Sequence, residues 1–119
     1  MALAATVLTV LVILIHVYIV VLEMALWQSR GPKVFGITKD FARDTKALAS
    51  NQGLYNGFLV VALVLGLALR EPFATAFLFY GLGCVVVAGL WGAFTASRRI
   101  LYVQALPAAL AFAAQWLVR

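Results

Sequence analysis

The chain has 119 residues, of which 66% are hydrophobic and only 11% are charged, and its mean hydropathy is +1.06. Soluble domains carry about 25% charged residues, so this composition excludes a soluble globular domain and predicts an integral membrane protein. The net charge of +5 does not indicate nucleic-acid binding, because the basic residues cluster at the ends of apolar segments and in one loop. We therefore expect membrane lipids, and no nucleic acid, as partners.

Four apolar segments are long enough to cross a hydrocarbon core of roughly 30 Å, which takes about 20 helical residues. The predicted spans are residues 3–27, 46–69, 73–95 and 100–118. Short hydrophilic turns at residues 70–72 and 96–99 join the later spans, which predicts antiparallel neighbours. The expected fold is an all-α, integral membrane four-helix bundle that forms a single domain over residues 1–119.

The basic residues predict the orientation of the chain. Seven of them lie in or beside the loop 28–45 or in the turn after the third span: Arg30, Lys33, Lys39, Arg43, Lys46, Arg98 and Arg99. Only Arg70 and Arg119 lie on the opposite side. Under the positive-inside rule the loop is cytoplasmic and both termini are on the non-cytoplasmic side. Binding of an anionic ligand by this loop stays open as an alternative.

The cytoplasmic loop has room for local structure. Gly31-Pro32 predicts a turn, and Gly36 predicts a second break. Thr38 is placed to cap a helix that begins at Lys39 and continues into the second span.

Polar residues inside the spans are the candidate functional groups. A carboxylate in a span costs about 3 kcal/mol on insertion scales, so Glu23 predicts a functional site. His16 is seven residues away and therefore only about 20° away on the same helix face. In the second span the polar residues fall within an arc of about 140°, a face that we expect to line the bundle interior. These residues are Asn51, Gln52, Tyr55 and Asn56.

Depth along the helices groups the same residues, at about 1.5 Å of rise per residue. Glu23 is expected in one layer with Asn51 and Gln52, roughly 6 to 9 Å from the cytoplasmic end. His16 is expected level with Asn56, roughly 15 to 16 Å deep. We predict a polar pocket that opens to the cytoplasm. Its predicted ligand-binding residues are Glu23, His16, Asn51, Gln52, Tyr55, Asn56, Trp91 and Gln104.

Small residues predict close helix packing. Gly53 and Gly57 form a GxxxG pair in the second span, and the third span holds further small pairs around Gly89. Four spans bury little internal surface, so we expect a homo-oligomer. Pro107 predicts a kink in the fourth span.

Three classes of function stay open. The first is a membrane-embedded binding protein or carrier for a small hydrophobic, amphipathic or anionic molecule. The second is an enzyme on a lipid-soluble substrate, with Glu23 and His16 as its acid/base pair. The third is an assembly or adaptor subunit in which the polar groups only join helices, at about 0.6 kcal/mol per hydrogen bond. One histidine without a Cys/His cluster predicts no metal site, and we expect no cofactor.

Several short motifs resemble one known family. They are His16-Val17-Tyr18-Ile19, Leu22-Glu23-Met24, Lys33-Val34-Phe35-Gly36, the stretch from Asn51 to Leu59, Val87-Ala88-Gly89, Gly92-Ala93, Gln104 and Leu106-Pro107-Ala108. In these residues the chain resembles domain of unknown function family 1304, across nearly its whole length. The resemblance implies a four-helix protein of the bacterial inner membrane and implies no activity.

A weaker likeness is to the membrane-associated eicosanoid and glutathione metabolism superfamily, which also has four spans and a long first cytoplasmic loop. By that analogy an anionic thiol peptide would be held by Arg43, Lys46, Asn51 and Gln52. Those enzymes carry a Glu and Arg pattern in the second span, whereas here the buried Glu is in the first.

Overall fold

The computed structural model describes residues 1–119, and all of its regular structure is helical, which confirms the all-α class. The elements are α1 (Ala2–Met24), α2 (Trp27–Phe35), α3 (Lys39–Asp44), α4 (Lys46–Ala68), α5 (Phe73–Thr95), a π-helical turn (Leu101–Ala105) and α6 (Leu106–Val118). Four stretches are long and apolar enough to cross a membrane: Ala2–Met24, Lys46–Ala68, Phe73–Thr95 and Leu101–Val118. Helices of this length and composition indicate an integral membrane protein, and their number agrees with the four predicted spans.

The first span ends earlier than predicted. We expected it to reach residue 27, but α1 ends at Met24 and Trp27 begins a separate helix. Leu26 lies between them with φ −118° and ψ 14°, outside the α-helical region, and this residue breaks the continuity of the backbone. The hydropathy of the segment could not show this break, because the residues around it are apolar.

The predicted turn at Gly31-Pro32 is wrong, since both residues lie inside α2. Pro32 lacks an N–H, and in a helix of 9 residues that removes only one hydrogen bond to the first turn. The predicted break at Gly36 is confirmed. Gly36 adopts a left-handed conformation (φ 67°) and its N–H donates to the Pro32 carbonyl, which ends α2.

The predicted cap at Thr38 is confirmed, because its hydroxyl accepts a hydrogen bond of 3.1 Å from the Phe41 N–H. The helix that it caps does not run unbroken into the second span. Thr45, at φ −104° and ψ 9°, separates α3 from α4. Its hydroxyl donates to the Phe41 carbonyl (2.7 Å) and accepts from the Trp27 indole N–H (3.0 Å). This hydroxyl therefore links the start of α2 to the junction between α3 and α4.

The chain divides into two compact units, residues 1–15 with 59–119 and residues 16–58. The first unit has a core of fully buried side chains from α1, α4, α5 and α6. They are Val12, Leu63, Leu82, Val85, Ala108 and Ala111. Within this unit a Cβ added to Gly89 would lie 2.7 Å from the Ala105 backbone nitrogen. The lack of a side chain at Gly89 therefore allows α5 to approach the π-helical turn closely. Close packing of this kind was predicted from the small residues.

The kink that we predicted at Pro107 stays a prediction, and the structure has this π-helical turn directly before the proline. The Leu106 N–H donates to the Leu101 carbonyl five residues back, so the turn holds one residue more than an α-helical turn. Pro107 follows directly and lacks the N–H that would continue the α-helical pattern into residue 103.

Candidate functional site

Within the unit of residues 16–58, Glu23 and Asn56 form a direct pair between α1 and α4. The Asn56 side-chain amide donates to Glu23 Oε1 at 2.8 Å and to the Gln52 carbonyl at 3.1 Å. Glu23 and Asn56 are each half-buried. Two of the predicted site residues, far apart in sequence, are thus brought together.

Gly53 explains why the two helices come close enough for this pair. A Cβ at Gly53 would lie 2.5 Å from Met24 Cγ and 3.1 Å from Glu23 Cβ, which leaves no room for a side chain. Gly53 and Asn56 are three residues apart and share one face of α4. Gly57, the second glycine of the GxxxG pair, has nothing within 4 Å of such a Cβ. Of these two glycines, only Gly53 packs against the end of α1.

The register of this contact differs from the predicted layers. Glu23 was expected level with Asn51 and Gln52, but it lies against Gly53 and Asn56. Glu23 is one residue from the end of α1, whereas Asn56 is ten residues after the start of α4, about 15 Å along that helix. The first turns of α4 therefore extend past the end of α1. The prediction placed the end of α1 three residues too late.

The assignment of His16 and Glu23 as an acid/base pair stays a prediction, and the two residues are well separated along α1. They are seven residues apart on α1, which corresponds to about 10 Å along the axis, and direct proton transfer needs about 3 Å. His16 is 1% exposed, and none of the buried side-chain nitrogen or oxygen atoms of the protein lacks a hydrogen-bond partner. His16 is therefore a buried histidine, and no fully enclosed nitrogen of its ring lacks a hydrogen-bond partner.

The polar residues of α4 do not all point in the same direction. Relative to Asn56, Asn51 points about 140° away and Tyr55 about 100° away, at 100° per residue. Asn51, Gln52 and Tyr55 are exposed in the single chain, and Tyr55 packs edge-on against Phe58 with ring centroids 5.7 Å apart. The expectation that all four residues line the interior is met only by Asn56, which is half-buried.

The other two predicted residues belong to the unit of residues 1–15 and 59–119. Trp91 is 69% exposed on α5, where its ring lies 6.4 Å from that of Phe94. Gln104 is half-buried in the π-helical turn. Their membership in the ligand-binding set stays a prediction.

A second polar cluster, in the unit of residues 1–15 and 59–119, was missed by the sequence analysis. Arg119 Nη1 donates to Glu71 Oε1 and to Thr75 Oγ1 (2.9 Å), and Arg119 Nε donates to Gln115 Oε1 (3.2 Å). The Thr75 N–H donates to Glu71 Oε2 at 3.2 Å. We had used Arg70 and Arg119 only to orient the chain. The spacing of four residues between Gln115 and Arg119, and between Glu71 and Thr75, was the available signal.

The environment of Glu71 favours its ionised form. A hydrogen bond with the Thr75 side chain is the main reason that the pKa of Glu71 lies below its ordinary value. Desolvation, the second-largest effect, opposes this shift, and the Thr75 backbone N–H and the positive charge of Arg119 lower the pKa of Glu71 further. This carboxylate is therefore a charged group with several donors around it.

These features define a polytopic α-helical membrane protein with a hydrogen-bonded carboxyl group near the end of its first span. A family model described as "Protein of unknown function (DUF1304)" matches residues 10–116, which is nearly the whole chain, so the protein belongs to this family and the resemblance is confirmed. No curated protein and no solved structure matches the chain. The likeness to the eicosanoid and glutathione superfamily has no support among these comparisons.

Proposed function

We propose that the protein is a membrane-embedded binding protein or carrier for a small amphipathic molecule, and that the Glu23 carboxyl group holds this molecule. One observation carries the proposal. Asn56 binds Glu23 Oε1, while Oε2 has no hydrogen bond and no cation pairs with the carboxyl group. A carboxyl group in a span with only a neutral partner is costly, which favours a ligand as the missing partner.

The chemistry of the group limits the class of ligand. A carboxylate offers only acceptors, so Oε2 suits a hydroxyl or ammonium group on the ligand rather than an anion. Every fully enclosed side-chain oxygen of the protein has a hydrogen-bond partner, and Glu23 Oε2 has none. Oε2 is therefore accessible to a ligand. The ligand that we propose is therefore a small amphipathic alcohol or amine, and the anionic ligand of the sequence analysis is disfavoured at this position.

We also propose how the protein is arranged in the membrane around this site. The four spans form a four-helix bundle in the bacterial inner membrane, with the termini outside and the Glu23 site open to the cytoplasm. The clustering of seven basic residues on one side supports this orientation. The exposed polar residues Asn51 and Gln52 on α4 support a homo-oligomer, because polar side chains are costly against lipid and a second copy would cover them.

No observation favours the enzyme alternative, because Glu23 and His16 lie about 10 Å apart along α1. The assembly-subunit alternative makes a different prediction from the binding proposal. Under it, Glu23 would only join α1 to α4, and a glutamine at this position would do the same.

Native mass spectrometry of the protein extracted gently from membranes tests the proposal. We expect a defined small-molecule adduct on the wild type that is lost in Glu23→Gln and kept in Asp40→Asn. Asp40 is a matched control, because it is an exposed carboxylate of α3 in the same unit. An adduct that persists in Glu23→Gln would contradict the site. Equal assembly of all three proteins with no adduct would favour the assembly subunit.

A further inference from the structure

A cavity of about 400 Å³ lies within the unit of residues 1–15 and 59–119, where the start of α1, the end of α4 and the end of α6 meet. Its volume is in the range of small-molecule sites. Part of the wall is apolar and is formed by alanine, glycine, leucine and valine. The polar side chains of the wall are Thr6, Arg70, Glu71, Gln115 and Arg119. We call it the Arg119 cavity.

A buried chain of hydrogen bonds sets the orientation of Arg119. The Thr9 hydroxyl donates to the Ala5 carbonyl at 2.8 Å, so its oxygen must act as an acceptor toward Gln115 Nε2, 3.0 Å away. Gln115 is thereby fixed with Oε1 toward Arg119 Nε, at 3.2 Å. Thr9 is 0% exposed and Gln115 is 2% exposed. The guanidinium group is therefore held by groups inside the protein and is preorganised.

This arrangement leaves hydrogen-bond donors for a ligand. Arg119 uses Nε and Nη1 for its contacts within the protein, and Nη2 makes none. The Arg70 side chain lines the same cavity and makes no hydrogen bond or ion pair. Glu71 neutralises one of the two arginines, so the three charged side chains sum to a formal charge of +1.

We propose that the Arg119 cavity binds a singly charged oxyanion, a phosphodiester or carboxylate, on an amphipathic molecule. Guanidinium groups match such anions in both charge and geometry. A single negative charge balances the formal charge of these three side chains, whereas Glu71 opposes a more highly charged anion. The apolar wall takes the carbon chain next to the anionic group. The phosphodiester of a lipid head group and that of a free soluble molecule share this chemistry.

Two binding measurements separate these sources. In the first, the protein is placed in nanodiscs of phosphatidylcholine with added phosphatidylglycerol, extracted gently, and the retained phosphatidylglycerol is counted by native mass spectrometry. In the second, dimethyl phosphate is titrated into the detergent-solubilised protein in a calorimeter. The test variant is Arg70→Gln. The control is Arg98→Gln, which removes an exposed arginine that does not line the cavity.

We expect Arg70→Gln to weaken binding about tenfold, the usual effect of losing one charge-assisted hydrogen bond, and Arg98→Gln to leave it unchanged. If Arg70→Gln weakens the binding of phosphatidylglycerol only, the ligand is a lipid head group. If Arg70→Gln weakens the binding of dimethyl phosphate, the ligand is a free oxyanion. Equal binding by the three proteins in both measurements, or no binding in either, overturns the proposal. Because Arg70 is exposed, its replacement leaves the fold intact, and the melting temperature verifies this.

A second variant tests the orientation of Arg119. Thr9→Val keeps the shape of the buried side chain and removes the nearer of the two acceptors of Gln115 Nε2, leaving the Ala5 carbonyl at 3.4 Å. It does not alter a residue of the cavity wall. We expect weaker binding of the same probe, with a smaller loss than in Arg70→Gln. Unchanged binding in Thr9→Val together with the loss in Arg70→Gln would overturn the role of Thr9 in orienting Arg119.

Discussion

Glu23 and Glu71 are both hydrogen-bonded glutamates, but their partners differ in kind. Glu71 lies in the turn between α4 and α5 and has the Thr75 backbone N–H and the Arg119 guanidinium as donors. Glu23 lies at the end of α1 and has one neutral donor, the amide of Asn56. A carboxylate with several donors and a cation has little capacity left for a ligand. A carboxyl group with one neutral partner keeps that capacity.

The largest expected effect comes from breaking the contact that places Glu23. Gly53→Ala puts a methyl group 2.5 Å from Met24 Cγ and 3.3 Å from the Met24 backbone nitrogen, so the Met24 side chain or the two helices must shift. We expect a loss of about 1 to 3 kcal/mol in the free energy of unfolding, as for other overpacked positions. Unfolding in mixed detergent micelles measures it.

Gly57→Ala is the matched control on the same helix, because nothing lies within 4 Å of the added methyl group. Alanine is the better helix former by about 1 kcal/mol, so this variant should be neutral or slightly more stable. Equal losses in the two variants would mean that Gly53 has no special role at the Glu23 site.

A smaller effect is expected from removing the partner of Glu23. Asn56→Ala deletes the 2.8 Å hydrogen bond and should lower the free energy of unfolding by about 0.6 kcal/mol, the average for hydrogen bonds between membrane helices. The same micelle titration measures it. Gln52→Ala is the control, since only the main-chain carbonyl of Gln52 takes part in this cluster. A larger loss in Gln52→Ala than in Asn56→Ala would contradict the pairing.

The smallest effect concerns Glu71 and depends on pH. Because its pKa in the folded protein is below the ordinary value of 4.5, its stabilising effect is present above pH 4.5 and is lost as the pH falls through the folded-state pKa. We expect the difference in melting temperature between the wild type and Glu71→Gln to shrink between pH 7 and pH 3. In a Thr75→Val background this difference should be smaller at pH 7. A difference that grows in acid would show that the pKa of Glu71 is raised instead.

The sequence predicted features that depend on local composition. The four long helices follow from apolar segments of sufficient length, and three of them begin and end within one residue of their predicted bounds. Thr38 and Gly36 were assigned correctly, because a capping hydroxyl and a left-handed glycine act on their own neighbours in sequence. The pairing of Glu23 with Asn56 was predicted only in part. Glu23 and Asn56 were both chosen as site residues, although in different layers.

The rest depended on contacts between distant residues. The break at Leu26 lies in an apolar sequence, and without it the depth of Glu23 was measured from the wrong helix end. Pro32 suggested a turn because proline weakens helices, but packing and the Gly36 cap kept α2 helical. The contact of Glu71 with Arg119 joins residues 48 apart and follows only from helix ends that meet in the fold.

The π-helical turn at Leu101–Ala105 has a consequence for variation in chain length. The turn stores one additional residue, equivalent to about 1.5 Å of rise and 100° of rotation. Deletion of one residue here would restore an ordinary α-helical turn while leaving the sequence of α6 unaltered. The same deletion inside α6 would rotate part of that helix and expose Ala108 and Ala111, which are now buried. Related chains that differ by one residue in this span should therefore differ at this turn.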